Sequence, residues 1–205
     1  MSDLPIRDAL LSSRAGVDWP AEPLLDLLDI SPGSAVLEVG AGNGRLLRRL
    51  MERGHTGPLE GLDLQAGPGV RSGDAHALPW PAATFDTVLL VRVLTHLARP
   101  AAALQEAWRV LRPGGLLVVA AHGPDHLSAT WAAAGRPTTR PVASVEAPPV
   151  LSSPSLVDLR LPVLLTHTDR DRLVQSYGSA MGTPDGPEVL ADLLHLRAVR
   201  YGKTT

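Results

Sequence analysis

Cysteine is absent from the 205 residues of this chain, which excludes disulfides, thiolate metal ligands and a cysteine nucleophile. A surplus of basic charge is also missing. The net charge is −2 and the charges are mixed along the chain, so nothing forms the basic face that is typical of duplex-binding proteins. Lysine is nearly absent, since Lys203 is the only one. The composition therefore gives no reason to expect nucleic acid as a partner.

Long apolar runs are missing as well. None approaches the roughly 20 residues that span a bilayer, and residues 1–5 lack the basic stretch and apolar run of a signal peptide. We therefore expect a cytoplasmic protein without a membrane partner, and leave a homodimer open.

What the sequence does contain is an alternation of short apolar runs with helical patterns. This alternation predicts an α/β fold with a doubly wound, mostly parallel sheet, and residues 1–205 are expected to form a single domain. Over residues 123–155 the pattern degrades and proline, alanine and serine dominate, so we expect an irregular lid or insertion there.

The periodicity also predicts where the elements lie. Strands are predicted over residues 35–39, 59–64, 87–91, 116–121, 156–166 and 196–201. Helices are predicted over residues 45–52, from Pro100 to 111, and over 169–180 and 187–194. The first of these helices should bury Leu46, Leu47, Leu50 and Met51 on one face.

A glycine-rich turn, Gly40-Ala41-Gly42-Asn43-Gly44, joins the first predicted strand to the first predicted helix. Glycine lets the backbone approach a ligand closely, and the helix start beyond the turn offers free N–H groups. Nicotinamide dinucleotides and S-adenosylmethionine both use such turns. The dinucleotide fingerprint requires a small residue three positions after the second glycine, where this chain has Arg45. A nicotinamide-dependent oxidoreductase is therefore disfavoured.

Residues 36–44 resemble the first motif of class I S-adenosylmethionine-dependent methyltransferases. Further stretches resemble the later motifs of that family in the same order, namely residues 61–64, 73–79, 85–91 and 109–115. The match covers about residues 24–121 and is closest to the small-molecule, type 11-like members. It implies a Rossmann-like fold, S-adenosylmethionine as cofactor, and an enzyme that methylates a small molecule at O, N or C.

The resemblance also implies roles for particular side chains. Asp63 would bind the ribose hydroxyls, Asp74 would face the adenine amino group, and Glu38 would orient loop amides or a water near the amino-acid end of the cofactor. Each acid alone could simply cap a loop, but three acids in register with the glycine turn favour the cofactor. The implied cofactor-binding residues are Glu38, Gly40, Ala41, Gly42, Asn43, Gly44, Asp63, Leu64, Asp74, Ala75, Val91 and Arg92.

One departure from the family pattern lies between the second and third strands. The link over residues 64–73 is too short for a crossover helix, because a parallel connection needs about a dozen residues. We predict that this helix is missing, that the third strand is reduced, and that the adenine pocket is partly open.

Candidate catalytic residues follow from the chemistry of methyl transfer. The reaction needs in-line placement and exclusion of water, and it needs a base only if the acceptor must lose a proton. His96 and His122 lie just past predicted strands and could serve as that base, or could be loop histidines bonded to backbone. Arg92 could bind an acidic acceptor, or it could be solvated or paired with an acid.

Other polar and aromatic groups leave alternatives open. His122 and His126 are four residues apart, but the intervening Gly-Pro breaks any helix that would align them, so we predict no metal site. Trp131 and Tyr177 could line the acceptor site or simply pack.

The competing function is a non-catalytic binding or assembly protein that kept the fold, and the short 64–73 link motivates it. The chain lacks an Asn-Pro-Pro-aromatic motif, which argues against methylation of base amino groups. Because cysteine is absent, the usual route to C5 of cytosine is excluded. The sequence does not identify the acceptor.

Overall fold

The structure is a computed structural model that describes residues 4–135, 154–177 and 186–204. Most of the predicted lid and the end of the helix predicted over 169–180 lie outside the described residues. The helices are α1 (Leu4–Ala15), α2 (Ala21–Leu27), α3 (Arg45–Glu52), α4 (Pro100–Val110), α5 (Ser128–Ala133) and α6 (His167–Ser176). The strands are β1 (Val36–Val39), β2 (Leu59–Asp63), β3 (Arg71–Ser72), β4 (Phe85–Val91), β5 (Leu111–His122), β6 (Ser155–Thr166) and β7 (Val189–Gly202).

The strands form one mixed sheet in the order β3-β2-β1-β4-β5-β7-β6. β1 pairs in parallel with β2 and β4, β2 with β3, and β4 with β5. β7 runs antiparallel to β5: Gly114 donates to the carbonyl of Lys203, whereas Gly123 donates to that of His195. The prediction of a doubly wound, mostly parallel sheet is confirmed.

The first strand–helix unit follows the sequence pattern closely. All four residues of β1 are buried, as expected of a strand that is covered on both faces. In α3, Leu46, Leu47 and Leu50 are buried, but Met51 is 54% exposed, so its assignment to the apolar face was wrong. The helix ends just before Gly54, whose φ of 86° is the left-handed conformation typical of a helix C-terminus.

The connection after β2 is as short as predicted. From 64 to 70 the chain makes only turns, and β3 is reduced to Arg71 and Ser72, which pair with Leu62 and Asp63. The prediction of a missing helix and a reduced third strand is confirmed.

The helix predicted over 187–194 is a strand instead. Leu190, Leu193 and Leu194 have helical spacing, and this misled the prediction. In the structure, Leu194 and Leu196 are buried at the two-residue spacing of β7. Two smaller differences are that Leu111 begins β5 rather than ending α4, and that α5 interrupts the segment predicted to be irregular.

The chain divides into two compact units. One, here called the glycine-loop unit, contains residues 28–121, 154–157 and 197–204 of the described chain. Its core packs apolar side chains of β1, β2, β4, α4 and β5, among them that of Phe85, which is 1% exposed. Burying a side chain of that size contributes roughly 1.5–3 kcal/mol.

The second unit contains residues 4–27, 122–135, 158–177 and 186–196 of the described chain. Trp19 is fully buried there and stacks on His126. The start of α6 is fixed by a capping box in which Thr166 and Asp169 bond each other's backbone N–H. Asp169 also accepts from Arg14 at 3.0 Å.

In the described ranges we find no helix with the length and apolarity that a membrane span requires.

Candidate functional site

The glycine loop (residues 40–44) needs its glycines for different reasons. All three have positive φ, of 78°, 54° and 70°. A Cβ at Gly40 would lie 2.4 Å from Cγ2 of Val93, so packing alone forbids a side chain there. A Cβ at Gly44 would lie 3.1 Å from Cγ2 of Val70, whereas one at Gly42 would meet nothing within 4 Å. The backbone at Gly42 is therefore the part of the loop that a ligand can approach.

The end of β2 holds the loop in place. The amides of Gly40 and Ala41 both donate to the carbonyl of Leu62, at 2.7 and 3.1 Å. The amide of Gly42 donates to Oδ2 of Asp63 at 2.8 Å. Asn43 is exposed, and its Oδ1 accepts from the amide of Arg45 at 3.2 Å, at the start of α3.

Asp63 lies at the carboxyl end of β2 and is bonded through both oxygens. Its Oδ1 accepts from the amide of Gln65 at 2.8 Å, and its Oδ2 accepts from Gly42. A carboxylate has about four lone-pair sites, so each oxygen keeps one acceptor position. The side chain can therefore hold the glycine loop and still accept two hydroxyl groups.

Glu38 is a buried acid at the end of β1, next to the glycine loop. Burial raises its pKa from 4.5 to about 8, the charge of Arg92 opposes that shift, and the nearby Asp63 adds to it. Within the part of the chain that the structure describes, its Oε2 has no hydrogen-bond partner. The amides of Gly40, Ala41 and Gly42 bond to β2 and not to Glu38.

Asp74 follows β3 and forms a pair with His76. Its Oδ1 accepts from the backbone amide of His76 at 2.9 Å and lies 2.6 Å from the Nδ1 of the same residue. These bonds, the backbone one first, lower the pKa of Asp74. Ala75 between them is buried, whereas Leu64 is 71% exposed.

The remaining predicted residues divide between the two units. Val91, Arg92 and His96 belong to the glycine-loop unit. Arg92 has a φ of 56°, and its backbone amide donates to the carbonyl of Ala120. His96 is exposed on a short 3-10 turn (Leu94–His96). His122 belongs to the second unit.

In the second unit, the ring of His122 stacks on that of His126 with 3.9 Å between centroids. Trp131 and Tyr177 meet edge to face at 4.8 Å, and the Arg7 guanidinium lies 4.0 Å over the Tyr177 ring. Across the described ranges, no group of three or more metal-ligating side chains is arranged around a common point.

Sequence reasoning missed the groups that support the loop. Gly67 in the short link donates to the carbonyl of Gly42 at 2.9 Å, and a Cβ at Gly67 would lie 2.9 Å from Cα of Asn43. The link therefore lies directly against the glycine loop. The Gly-Pro-Gly of residues 67–69 was the available signal, because such a cluster often marks a turn with close backbone contacts.

This geometry lies in a stretch that matches a known family. Residues 37–119 match the family model described as "Methyltransferase domain". This part of the chain is similar to methyltransferase domains. Its sheet order and glycine loop are those of the class I fold that the sequence resemblance implied.

Curated relatives match about half of this chain. An uncharacterized 37.1 kDa protein in transposon TN4556 of Streptomyces fradiae is 37% identical over 120 residues, which are 51% of this chain and 35% of that protein. The ubiquinone/menaquinone biosynthesis C-methyltransferase UbiE of Roseobacter denitrificans is 34% identical over 115 residues, which are 48% of this chain and 46% of that protein. The chain therefore spans less than half the length of these relatives.

A solved structure matches over nearly the whole chain. A SAM-dependent methyltransferase from Aquifex aeolicus superposes with a TM-score of 0.55 at 16% identity, covering 98% of each chain. At this identity the likeness shows the fold alone.

Proposed function

We propose that this chain transfers a methyl group from S-adenosylmethionine to a small-molecule acceptor. The observation that carries the proposal is the bridge made by Asp63. One carboxylate fastens the glycine loop to the end of β2 and keeps lone pairs for two hydroxyls, beside the open space where a Cβ at Gly42 would lie. The match of residues 37–119 to a methyltransferase domain supports the same proposal.

The residues present fit the cofactor. Asp63 would accept from the ribose hydroxyls, and Asp74 would accept from the adenine amino group. The amino-acid end would lie against Gly42, where Glu38 keeps a buried oxygen without a protein hydrogen bond among the described residues. When bound, S-adenosylmethionine supplies a methyl group on a sulfonium, which an acceptor lone pair can attack.

The protonation of Glu38 suits such a site. Because its pKa is raised to about 8, Glu38 is mostly protonated at neutral pH. Two adjacent negative charges, on Glu38 and Asp63, are thereby avoided before a ligand binds. The protonated acid can donate one hydrogen bond and accept another, which suits a zwitterionic amino-acid group.

For acceptors that must lose a proton, we propose His96 and His122 as the candidate bases, with Arg92 as the candidate contact for an acidic acceptor. We also propose that residues 1–205 act as one domain, with 123–155 as the segment over the acceptor. The Roseobacter relative is named a C-methyltransferase, but the chain matches less than half of it, so the acceptor atom is left as O, N or C.

The test is calorimetry with S-adenosylhomocysteine, the demethylated form of the cofactor. Asp63→Ala should weaken binding by about 1–3 kcal/mol, or roughly 5–150-fold, because two hydroxyl bonds and the Gly42 bond are lost. Asp63→Asn keeps one acceptor oxygen and should lose less. Glu52→Gln, on the exposed side of α3, is the control and should leave the affinity unchanged.

Two results would contradict the proposal. One is a wild-type protein that gives no heat with millimolar S-adenosylhomocysteine. The other is an Asp63→Ala variant that binds as tightly as wild type.

A further inference from the structure

A histidine fixes the acid that the proposed function assigns to adenine. His76 approaches Oδ1 of Asp74 twice, through its backbone amide at 2.9 Å and through Nδ1 at 2.6 Å. A carboxylate only accepts hydrogen bonds, so Nδ1 carries the hydrogen in this pair. Both bonds go to one oxygen, and the lone pairs of Oδ2 remain for a ligand.

The His76 ring is itself held in place. Its side chain is 11% exposed, compared with 51% for that of Asp74, so the ring is the buried member of the pair. Its Nε2 is buried and makes no hydrogen bond to any described residue. An exposed acid is thus oriented by a mostly buried imidazole, and the carboxylate cannot turn without breaking the 2.6 Å contact.

The backbone around this pair is anchored on both sides. Before it, the amide of Gly73 donates to the carbonyl of Asp63 at 3.0 Å, which ties Asp74 to the end of β2. After it, the amide of Leu78 donates to Oε2 of Glu106 on α4 at 2.9 Å. Asp63 and Asp74 therefore lie at the carboxyl ends of neighbouring parallel strands, where one can meet a sugar and the other its base.

We propose that His76 is the positioning residue for recognition of the cofactor's base, by orienting Asp74 so that Oδ2 accepts from the exocyclic amine of adenine. This inference rests on the proposed function. Hypoxanthine carries a carbonyl oxygen where adenine carries that amine, and a carboxylate facing a carbonyl has no hydrogen to share. A fixed Asp74 therefore discriminates between the two bases, and a carboxylate that is free to turn discriminates less.

The experiment compares the affinities of S-adenosylhomocysteine and S-inosylhomocysteine, its deaminated analogue, in wild type and two variants. His76→Leu removes the side-chain donor and keeps an apolar group of similar size. His76→Asn keeps a side-chain N–H close to the position of Nδ1. We expect wild type to prefer the adenosyl compound, His76→Leu to lose about tenfold of that preference, and His76→Asn to retain most of it.

The preference for the adenosyl compound is the informative readout, because purely structural damage to the site would lower the affinity for both compounds alike. The inference would be overturned if His76→Leu weakened the binding of both compounds equally or left the preference for the adenosyl compound unchanged. It would also be overturned if His76→Asn lost that preference to the same extent as His76→Leu. If His76→Leu does not fold, His76→Ala replaces it with the same expectations. Failure of the proposed function is distinguishable, because wild type would then bind neither compound.

Discussion

At the scale of single residues, two acids next to the same loop have different environments. Asp63 takes backbone hydrogen bonds on both oxygens, whereas Glu38 is buried with Oε2 unbonded among the described residues. Burial without compensating bonds favours the neutral acid, and the pKa of Glu38 rises accordingly to about 8. The sequence could place both acids near the glycines but could not tell that one of them is protonated at neutral pH.

Glu38 should make folding stability depend on pH. Below pH 4.5 the acid is protonated in both the folded and the unfolded state. Between pH 4.5 and about 8 it ionises only when unfolded, so its contribution to stability falls as pH rises through that window. Between pH 5 and pH 8, we expect the free energy of unfolding of wild type to fall by on the order of 1–4 kcal/mol more than that of Glu38→Gln.

Urea unfolding of both proteins at the two pH values measures this difference. Glu52→Gln is the matched control, because it makes the same change on the surface of α3. Its stability should depend on pH in the same way as that of wild type. Parallel pH dependence of wild type and Glu38→Gln would show that the acid is ionised in the folded protein.

At the scale of elements, the glycine loop is supported by the chain that replaces a helix. The short link from 64 to 70 lies against residues 42–44 and donates one backbone hydrogen bond to them. α4 supports the next segment: Arg109 donates to the carbonyls of Leu78 and Trp80, at 2.9 and 2.8 Å, and pairs with Glu106. The loop and the Asp74 turn thus each depend on an element distant in sequence.

Gly67→Ala should weaken cofactor binding through the glycine loop. The new Cβ would lie 2.9 Å from Cα of Asn43, and backbone at that distance must move. We expect affinity for S-adenosylhomocysteine to fall by about 1–3 kcal/mol, comparable to the cost of overpacking a core. Gly33→Ala is the control, since a Cβ there meets nothing within 4 Å. Equal affinities for the two variants would mean that the link does not support the loop.

The prediction of elements succeeded where apolar runs were long or carried a motif, as in β1, α3 and β4. It failed for β7, where leucines at helical spacing lie in a strand whose burial follows the alternation of the sheet. In the candidate site, the acids and glycines could be identified from the order of the motifs along the sequence. Val93, His76 and Gly67 could not, because their roles depend on contacts between separate segments.

At the scale of the whole molecule, the glycine-loop unit extends beyond the stretch that matches the methyltransferase family. Tyr201 of β7 is buried in its core, with Val199 packed against that core. Next to them Lys203, the only lysine, donates from Nζ to the carbonyls of Trp108 and Leu111, both at 2.7 Å. A cation at the C-terminal end of a helix also interacts favourably with the helix dipole.

Lys203→Met should therefore destabilise the protein. Two carbonyls at the end of α4 would lose a charged donor, and we expect the free energy of unfolding to fall by about 1–3 kcal/mol. Chemical denaturation followed by far-UV circular dichroism measures it. Thr204→Ala, one residue further along and exposed, should leave stability unchanged. A Lys203→Met variant as stable as wild type would mean that water replaces both bonds without cost.

The contact of Gly67 with the Asn43 backbone also has an evolutionary consequence. Two stretches more than twenty residues apart touch through main chain, so neither can drift without the other. A related sequence with a longer connection between β2 and β3 would not need to pass so close to Asn43, and position 67 could then carry a side chain. The requirement for glycine at 67 thus follows from the short link, which lies against Asn43, and not from a contact with the ligand.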